Sequence, residues 1–195
     1  MIARYGLRHK RVLSLGGGRA LEERWLAELG PNNVTVIDLD HPNGNIEPVL
    51  RSAPAGEMHY VIGDALEPWE EPFDVLYLSG FAPDEMRRWE IVTSHQGWPV
   101  DAEPFHPAVM AHAGRLPVGG WMLVQSIGYS LDARGNPAYL PAAAAQMERN
   151  GLRLVEVHRF VGLPGVMLYA GLRMGPALTT FHGRAEPEPI ERIYP

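Results

Sequence analysis

The sequence predicts an open, doubly wound α/β sheet of three αβα layers, with seven mostly parallel strands and an antiparallel last strand. Three observations carry this expectation. An apolar run from Arg11 to Leu15 ends in three glycines and leads through a helical segment into a second apolar strand, completing a βαβ unit within about 30 residues. Further strand patterns then alternate with helical ones, the signature of parallel strands joined by crossovers. The last two strands are joined by a turn from Val161 to Gly165, too short for a crossover, so they must pair antiparallel.

Each element follows from its residues. After the glycines, Ala20 to Leu29 places Leu21, Trp25, Leu26 and Leu29 at helical spacing, and Gly30-Pro31-Asn32-Asn33 ends the helix. Val34 to Asp38 is a β-branched second strand. The proline- and glycine-rich segment that follows leaves room for one short helix near Ile46 to Ser52 before a third strand, Met58 to Ile62. Phe73 to Leu78 reads as a buried fourth strand closed by Ser79-Gly80, and Pro83 to Val92 as a helix with proline in its first turn. Thr93 to Pro104 is a long loop bearing aromatic and histidine residues, suited to substrate contact. Pro107 to Leu116 forms a helix, Pro117 to Gly120 a turn, and Trp121 to Ser126 the fifth strand. The Ala-rich helix Pro141 to Asn150 stops at Gly151. Leu152 to Phe160 and Val166 to Met174 are the sixth and seventh strands. The expected domain covers residues 1–174, and residues 175–195, with four prolines, form an extended tail.

Composition removes whole classes of function. Seventeen Lys and Arg against 23 Asp and Glu leave a net charge of −6, and the longest basic cluster, Arg8 to Arg11, flanks a strand as a solvated segment. Nucleic acid is therefore not an expected partner, because duplex affinity rests on neutralising phosphates. The chain has no cysteine, which excludes disulfides, thiolate zinc sites and cysteine nucleophiles. No apolar stretch has the length of a signal peptide or a membrane span, so a cytoplasmic protein without membrane contact is expected.

In doubly wound sheets ligands bind at the carboxyl ends of the strands, where strand order reverses. After the first strand stands Gly16-Gly17-Gly18-Arg19-Ala20-Leu21. Glycines allow a tight turn and close approach of a ligand, and the following helix offers unpaired N–H groups. A dinucleotide fingerprint would need glycine where Leu21 stands, and a P-loop would need Gly-Lys-Ser/Thr. The second strand ends in Asp38, 20 residues beyond Gly18, where a carboxylate can accept two hydrogen bonds from a ribose diol or serve as a solvated or capping residue. The third ends in Gly63-Asp64-Ala65, where Asp64 can take an adenine amine or simply cap a turn.

Taken together, Val12-Leu13-Ser14-Leu15-Gly16-Gly17-Gly18, Val34-Thr35-Val36-Ile37-Asp38, Gly63-Asp64-Ala65, Phe73-Asp74-Val75-Leu76 and Leu116-Pro117-Val118-Gly119-Gly120-Trp121 resemble the class I S-adenosylmethionine-dependent methyltransferases in order and spacing. The resemblance spans residues 11–174 and implies a Rossmann-like fold with S-adenosyl-L-methionine as cofactor. It further implies that Gly16, Gly17 and Gly18 approach the amino-acid part of that cofactor, that Asp38 and Leu39 lie at the ribose, that Gly63, Asp64 and Ala65 lie at adenine, and that Ser79 lines the site near the sulfonium. Three departures stand out. Ser14 occupies a position where an acidic residue is frequent, Ala20 replaces the usual third glycine, and only about ten residues precede the first strand, so the cover must come from Thr93 to Pro104, the tail or a second subunit of a homodimer.

Methyl transfer from a sulfonium needs mainly an acceptor held in line, and positioning alone supplies on the order of 7 to 11 kcal/mol. For a hydroxyl acceptor, His95, Asp101, His106 and Tyr129 are candidate bases, with His95 first, its alternative being a surface loop histidine, and with Tyr129 packing or donating a hydrogen bond rather than ionising. His106 has an alternative in preceding the helix at Pro107. Trp69, Trp89, Trp98 and Trp121 are spread over different elements, which favours packing over an aromatic cage. Ser79-Gly80-Phe81-Ala82 lacks the acidic cluster of metal-dependent catechol-type enzymes, no Asn-Pro-Pro-Tyr-type motif is present, and no histidine pair has helical zinc spacing. The expected activity is methyl transfer to a small molecule. An aminocarboxypropyl or aminopropyl transferase, a cofactor-cyclising relative and a non-catalytic binding module remain alternatives, the aminopropyl version weakened by Ser79 where it would need an aspartate.

Overall fold

A computed structural model describes residues 2–17, 20–30, 32–39, 57–79, 103–127, 140–159 and 166–175. Seven strands form one sheet: β1 (Arg11–Leu15), β2 (Asn33–Asp38), β3 (Glu57–Ile62), β4 (Val75–Ser79), β5 (Trp121–Ile127), β6 (Leu152–Arg159) and β7 (Val166–Arg173), in the order β3-β2-β1-β4-β5-β7-β6. β7 lies between β5 and β6 and runs antiparallel to both, and the other neighbours pair parallel. Strand order therefore reverses between β1 and β4. Three helices are described: α1 (Leu21–Leu29), α2 (Pro107–Gly114) and α3 (Leu140–Arg149). The expected helices at Ile46 to Ser52 and Pro83 to Val92, the loop Thr93 to Asp101 and the tail beyond Gly175 lie outside the described residues.

The central strands β1, β4 and β5 are buried because both their faces are covered. Alternation sends Leu13, Leu15, Leu76, Leu78, Met122 and Val124 to a core shared with α2 and α3, and Val12, Val34, Val36, Val75, Tyr77 and Leu123 to one shared with α1 and the N-terminal segment. Tyr5 and Leu7 of that segment cover the β5–β7 end of the second face, Tyr5 packing 4.9 Å from Trp121. A bulge in β6 between Leu154 and Glu156 reverses its alternation. Leu152, Leu154 and Val157 can thereby pack on the first core, while Glu156 takes hydrogen bonds from Tyr5 and Arg4 and pairs with His158 at 2.9 Å. Regular alternation, as the sequence implies for this strand, would send Val157 away from Leu154.

The α1 stripe differs from the expected one. Leu26 is buried as the spacing predicts, but Trp25 and Leu29 are 62% and 64% exposed and Glu23 and Ala27 are buried instead. The reason lies beneath the helix, where Ser14 of β1 faces α1 and donates to Glu23 Oε1 at 2.7 Å, turning the helix so that a carboxylate rather than an indole points inward. β4 starts at Val75 rather than Phe73, since Asp74 turns out to grip Arg11: its Oδ1 and Oδ2 accept from Nη2 and Nε at 2.9 and 3.1 Å, and Oδ2 also accepts from the Arg11 backbone N–H. The basic segment before β1 is thus a solvated strand flank, as its charge pattern predicts. Among the described residues, no helix is long and apolar enough to cross a membrane.

Three ionisable groups make the fold sensitive to acid. Arg11 hydrogen bonds hold the Asp74 carboxyl below its usual value. Burial would raise Glu156, but the bonds from Tyr5 and Arg4 outweigh it and the net shift is downward. Burial lowers His112, opposed by the backbone of Glu67 and Ala65. All three unfolded groups bind protons more readily than the folded ones, so their contribution is full above about pH 7 and is lost as pH falls, whereas burial and Glu156 push the Tyr5 hydroxyl up and its contribution is lost only in alkali. We expect a loss beginning near 6.5, the ordinary value of His112, and a further one below 4.5, the ordinary value of Glu156, as Glu156 and Asp74 take protons. Urea midpoints measured from pH 8 to 3 test this, and His112→Leu should flatten only the upper limb.

Candidate functional site

The carboxyl ends of β1, β2 and β3 are stitched into one row by the backbone. Gly16 leaves β1 with φ +72 and its N–H donates to the Ile37 carbonyl at 2.9 Å. One strand over, the Gly63 N–H donates to the Asp38 carbonyl at 3.0 Å. The glycine turn, the acidic end of β2 and the loop after β3 are thereby neighbours along one edge. Ser79 ends β4 beside β1, across the point where strand order reverses, with Leu78 opposite Leu15 and Ser79 opposite Gln125 of β5. Tyr77 of β4 donates its hydroxyl proton to Gln125 Oε1, fixing that side chain at the same end.

The turn after β1 closes with the Ala20 N–H donating to the Gly17 carbonyl at 2.7 Å. Ala20 caps α1 with φ +52, in the left-handed region, and makes no side-chain cap bond. Glycine is favoured where this chain carries alanine because an L residue there strains its backbone by roughly 1–2 kcal/mol. Gly17 is required for a different reason. A Cβ on it would collide with Val36 Cγ1 and lie 3.0 Å from Glu23 Oε1. Gly18 lies outside the described residues.

Asp38 is half-buried at the end of β2. Leu39, the next residue, and Ile62, the cross-strand partner of Asp38, are 65% and 60% exposed, which puts apolar surface at the same edge as a carboxylate. Asp64 is exposed, and its Oδ1 accepts the Leu66 N–H at 2.9 Å, so the turn-capping reading holds for one of its two oxygens. Ala65 is buried in the first core and anchors this loop. His112 of α2 is buried against the backbone of Ala65 and Glu67, which opposes the lowering that burial imposes on its ring. A six-residue spacing from His106 reveals nothing of this role.

Of the candidate bases, His106 is placed and is a cap: its Nδ1 accepts the Ala108 N–H at 3.2 Å at the start of α2. His95, Asp101 and Tyr129 lie outside the described residues, as do Trp89 and Trp98. Trp69 and Trp121 pack against the two cores, which is the packing role their dispersion implies. Two contributors carry no sequence signal of their own. Glu23 hides in a charged helix as one of two consecutive glutamates, and Gln146 sits in an alanine-rich helix yet bonds both backbone polar groups of Phe105 at 2.8 Å.

No protein-family model matches the chain, and no curated protein does. Solved structures do. The 1,6-didemethyltoxoflavin-N1-methyltransferase of Burkholderia thailandensis, with bound 1,6-didemethyltoxoflavin and S-adenosylhomocysteine, superposes with a TM-score of 0.61 at 16% identity over 89% of this chain and 75% of that one. The magnesium protoporphyrin IX methyltransferase of Synechocystis PCC 6803, with bound SAM, gives 0.60 at 12% identity over 88% and 74%. MtNAS, in complex with MTA and tNA, gives 0.52 at 15% identity, and here the match covers 89% of this chain but 57% of that one. The strand order with its reversed β7, the glycine turn at the switch point and these superpositions agree: the chain has the class I S-adenosylmethionine-dependent methyltransferase fold.

Proposed function

We propose that the protein is a transferase that binds S-adenosyl-L-methionine at the β1–β3 edge and passes its methyl group in line to a small-molecule acceptor. The observation that carries this reading is the row of Gly16, Asp38 and Gly63, joined through Ile37 and Asp38 by two backbone hydrogen bonds. A nucleoside fits that row: Asp38 accepts from the ribose hydroxyls, exposed Leu39 and Ile62 offer apolar surface to adenine, and the loop Gly63-Asp64-Ala65 supplies polar groups for the base edge. Gly16, Gly17 and Gly18 then receive the amino-acid arm, and Ser79 lies toward the sulfonium. The likeness to methyltransferases solved with S-adenosylhomocysteine or SAM supports the same assignment. When bound, the cofactor supplies an already electrophilic methyl group, and the chain's work is to orient it and exclude water. His95 is assigned as the base for a hydroxyl acceptor and Tyr129 as a hydrogen-bond donor.

Calorimetric titration with S-adenosylmethionine, S-adenosylhomocysteine and NAD tests the reading. Both sulfur nucleosides should bind and NAD should not, and Asp38→Ala should weaken binding by about 1.5–3 kcal/mol, or roughly 10- to 150-fold, the value of a charged hydrogen bond. Unchanged affinity in the variant would remove Asp38 from the ribose. A second reading, transfer of a different alkyl group from the same sulfonium, draws on the likeness to MtNAS, solved with MTA. The spent cofactor decides between them, since methyl transfer leaves S-adenosylhomocysteine and aminocarboxypropyl transfer leaves 5′-methylthioadenosine.

A further inference from the structure

Glu23 is fully buried in the first turn of α1, although α1 leaves Trp25 and Leu29 largely in solvent. Burying a carboxylate is costly unless it is hydrogen-bonded, whereas turning the indole inward would be favourable by itself. The helix thus buries this carboxylate beside Leu26 and Ala27 while leaving its indole outside. Glu23 Oε1 accepts the Ser14 hydroxyl at 2.7 Å, and Ser14 is itself fully buried one residue before the end of β1. The same Oε1 lies 3.0 Å from where a Cβ of Gly17 would stand, so the carboxylate forms the floor of the glycine turn. The positive end of the α1 dipole favours a negative charge at this position.

We propose that Glu23, acting through Ser14 and the glycine turn above it, is a positioning residue for the amino-acid arm of the sulfonium nucleoside. The acid that the sequence lacks at Ser14 is thus supplied from the helix, 9 residues later in the chain. Its carboxylate holds the Ser14 hydroxyl and packs under Gly17, which fixes the turn that faces the arm, and its charge favours a cationic ammonium on the far side of that turn. The adenine and ribose contacts belong to β2 and β3 and do not depend on it. This inference rests on the proposed cofactor reading.

The experiment is a calorimetric comparison of S-adenosylhomocysteine, which carries the arm, with 5′-methylthioadenosine, which lacks it. Wild type, E23Q and S14A are titrated with both, and thermal unfolding checks that each variant is folded. E23Q keeps the shape and removes the charge, and should lose at least about tenfold in affinity for S-adenosylhomocysteine, the size of one charge-assisted contact, with less than about twofold change for 5′-methylthioadenosine. S14A should shift the same ratio in the same direction, and it carries the test if E23Q does not fold. An unchanged ratio overturns the proposal, whether neither ligand is affected or both weaken equally as a general loss of packing would produce. Wild-type protein that binds neither ligand removes the cofactor reading along with it, a failure visible before any variant is titrated.

Discussion

Replacing Gln146 with leucine is expected to destabilise the protein by about 2–6 kcal/mol, because two buried backbone groups lose their partners at once. Gln146 is buried on α3, its Oε1 accepting the Phe105 N–H and its Nε2 donating to the Phe105 carbonyl, both at 2.8 Å. It behaves toward Phe105 as a neighbouring strand would, and Phe105 belongs to none of the described strands. Leucine fills the same volume but offers neither donor nor acceptor, so each orphaned group costs its desolvation, about 1–3 kcal/mol. The urea midpoint should fall with the slope unchanged. A loss below about 1 kcal/mol would mean that water reaches Phe105 and that the buried pair contributes little. Phe105 directly precedes the α2 cap His106, so Gln146 fixes how the described residues 103–105 enter α2.

Leu78→Ala is expected to cost about 2–5 kcal/mol, through lost transfer energy and the cavity left behind. Leu78 is fully buried in β4, flanked by Leu15 of β1 and Val124 of β5 in the same core. It stands one residue before Ser79, at the point where strand order reverses. The cavity would therefore open under the proposed site, and binding of S-adenosylhomocysteine should weaken along with stability. Full retention of affinity at a lowered melting temperature would show that the backbone bonds of Gly16 and Gly63 hold the site without this support.

The elements of the sheet were legible because a buried parallel strand writes itself as an apolar run and a crossover helix as a period near 3.6. Val34 to Asp38, Trp121 to Ser126 and the antiparallel end all appear within a residue or two of where their patterns put them. Strand ends were legible for the same reason, which is why Gly16, Asp38 and Gly63 could be singled out before their neighbours were known. In α1 the spacing places Leu26 in the core, where it lies, but also Trp25 and Leu29, which are exposed, while Glu23 turns inward to Ser14, a residue outside the helix. His106 illustrates the opposite case. Its position before Pro107 allows both a base and a cap, and the hydrogen bond to Ala108 makes it a cap.

The sequence by itself determined the class of fold, the order of its units and the residues at the strand ends, since all three depend on local periodicity and turn chemistry. Only the tertiary structure decided which of those residues lie side by side, that a bulge lets β6 serve two cores, and that buried Glu23, Gln146 and His112 stand where the sequence marks nothing. The physical reason is that hydrogen bonds between distant segments, Ser14 to Glu23 or Phe105 to Gln146, follow no period along the chain. They come into existence when two faces close and a buried polar group must find a partner.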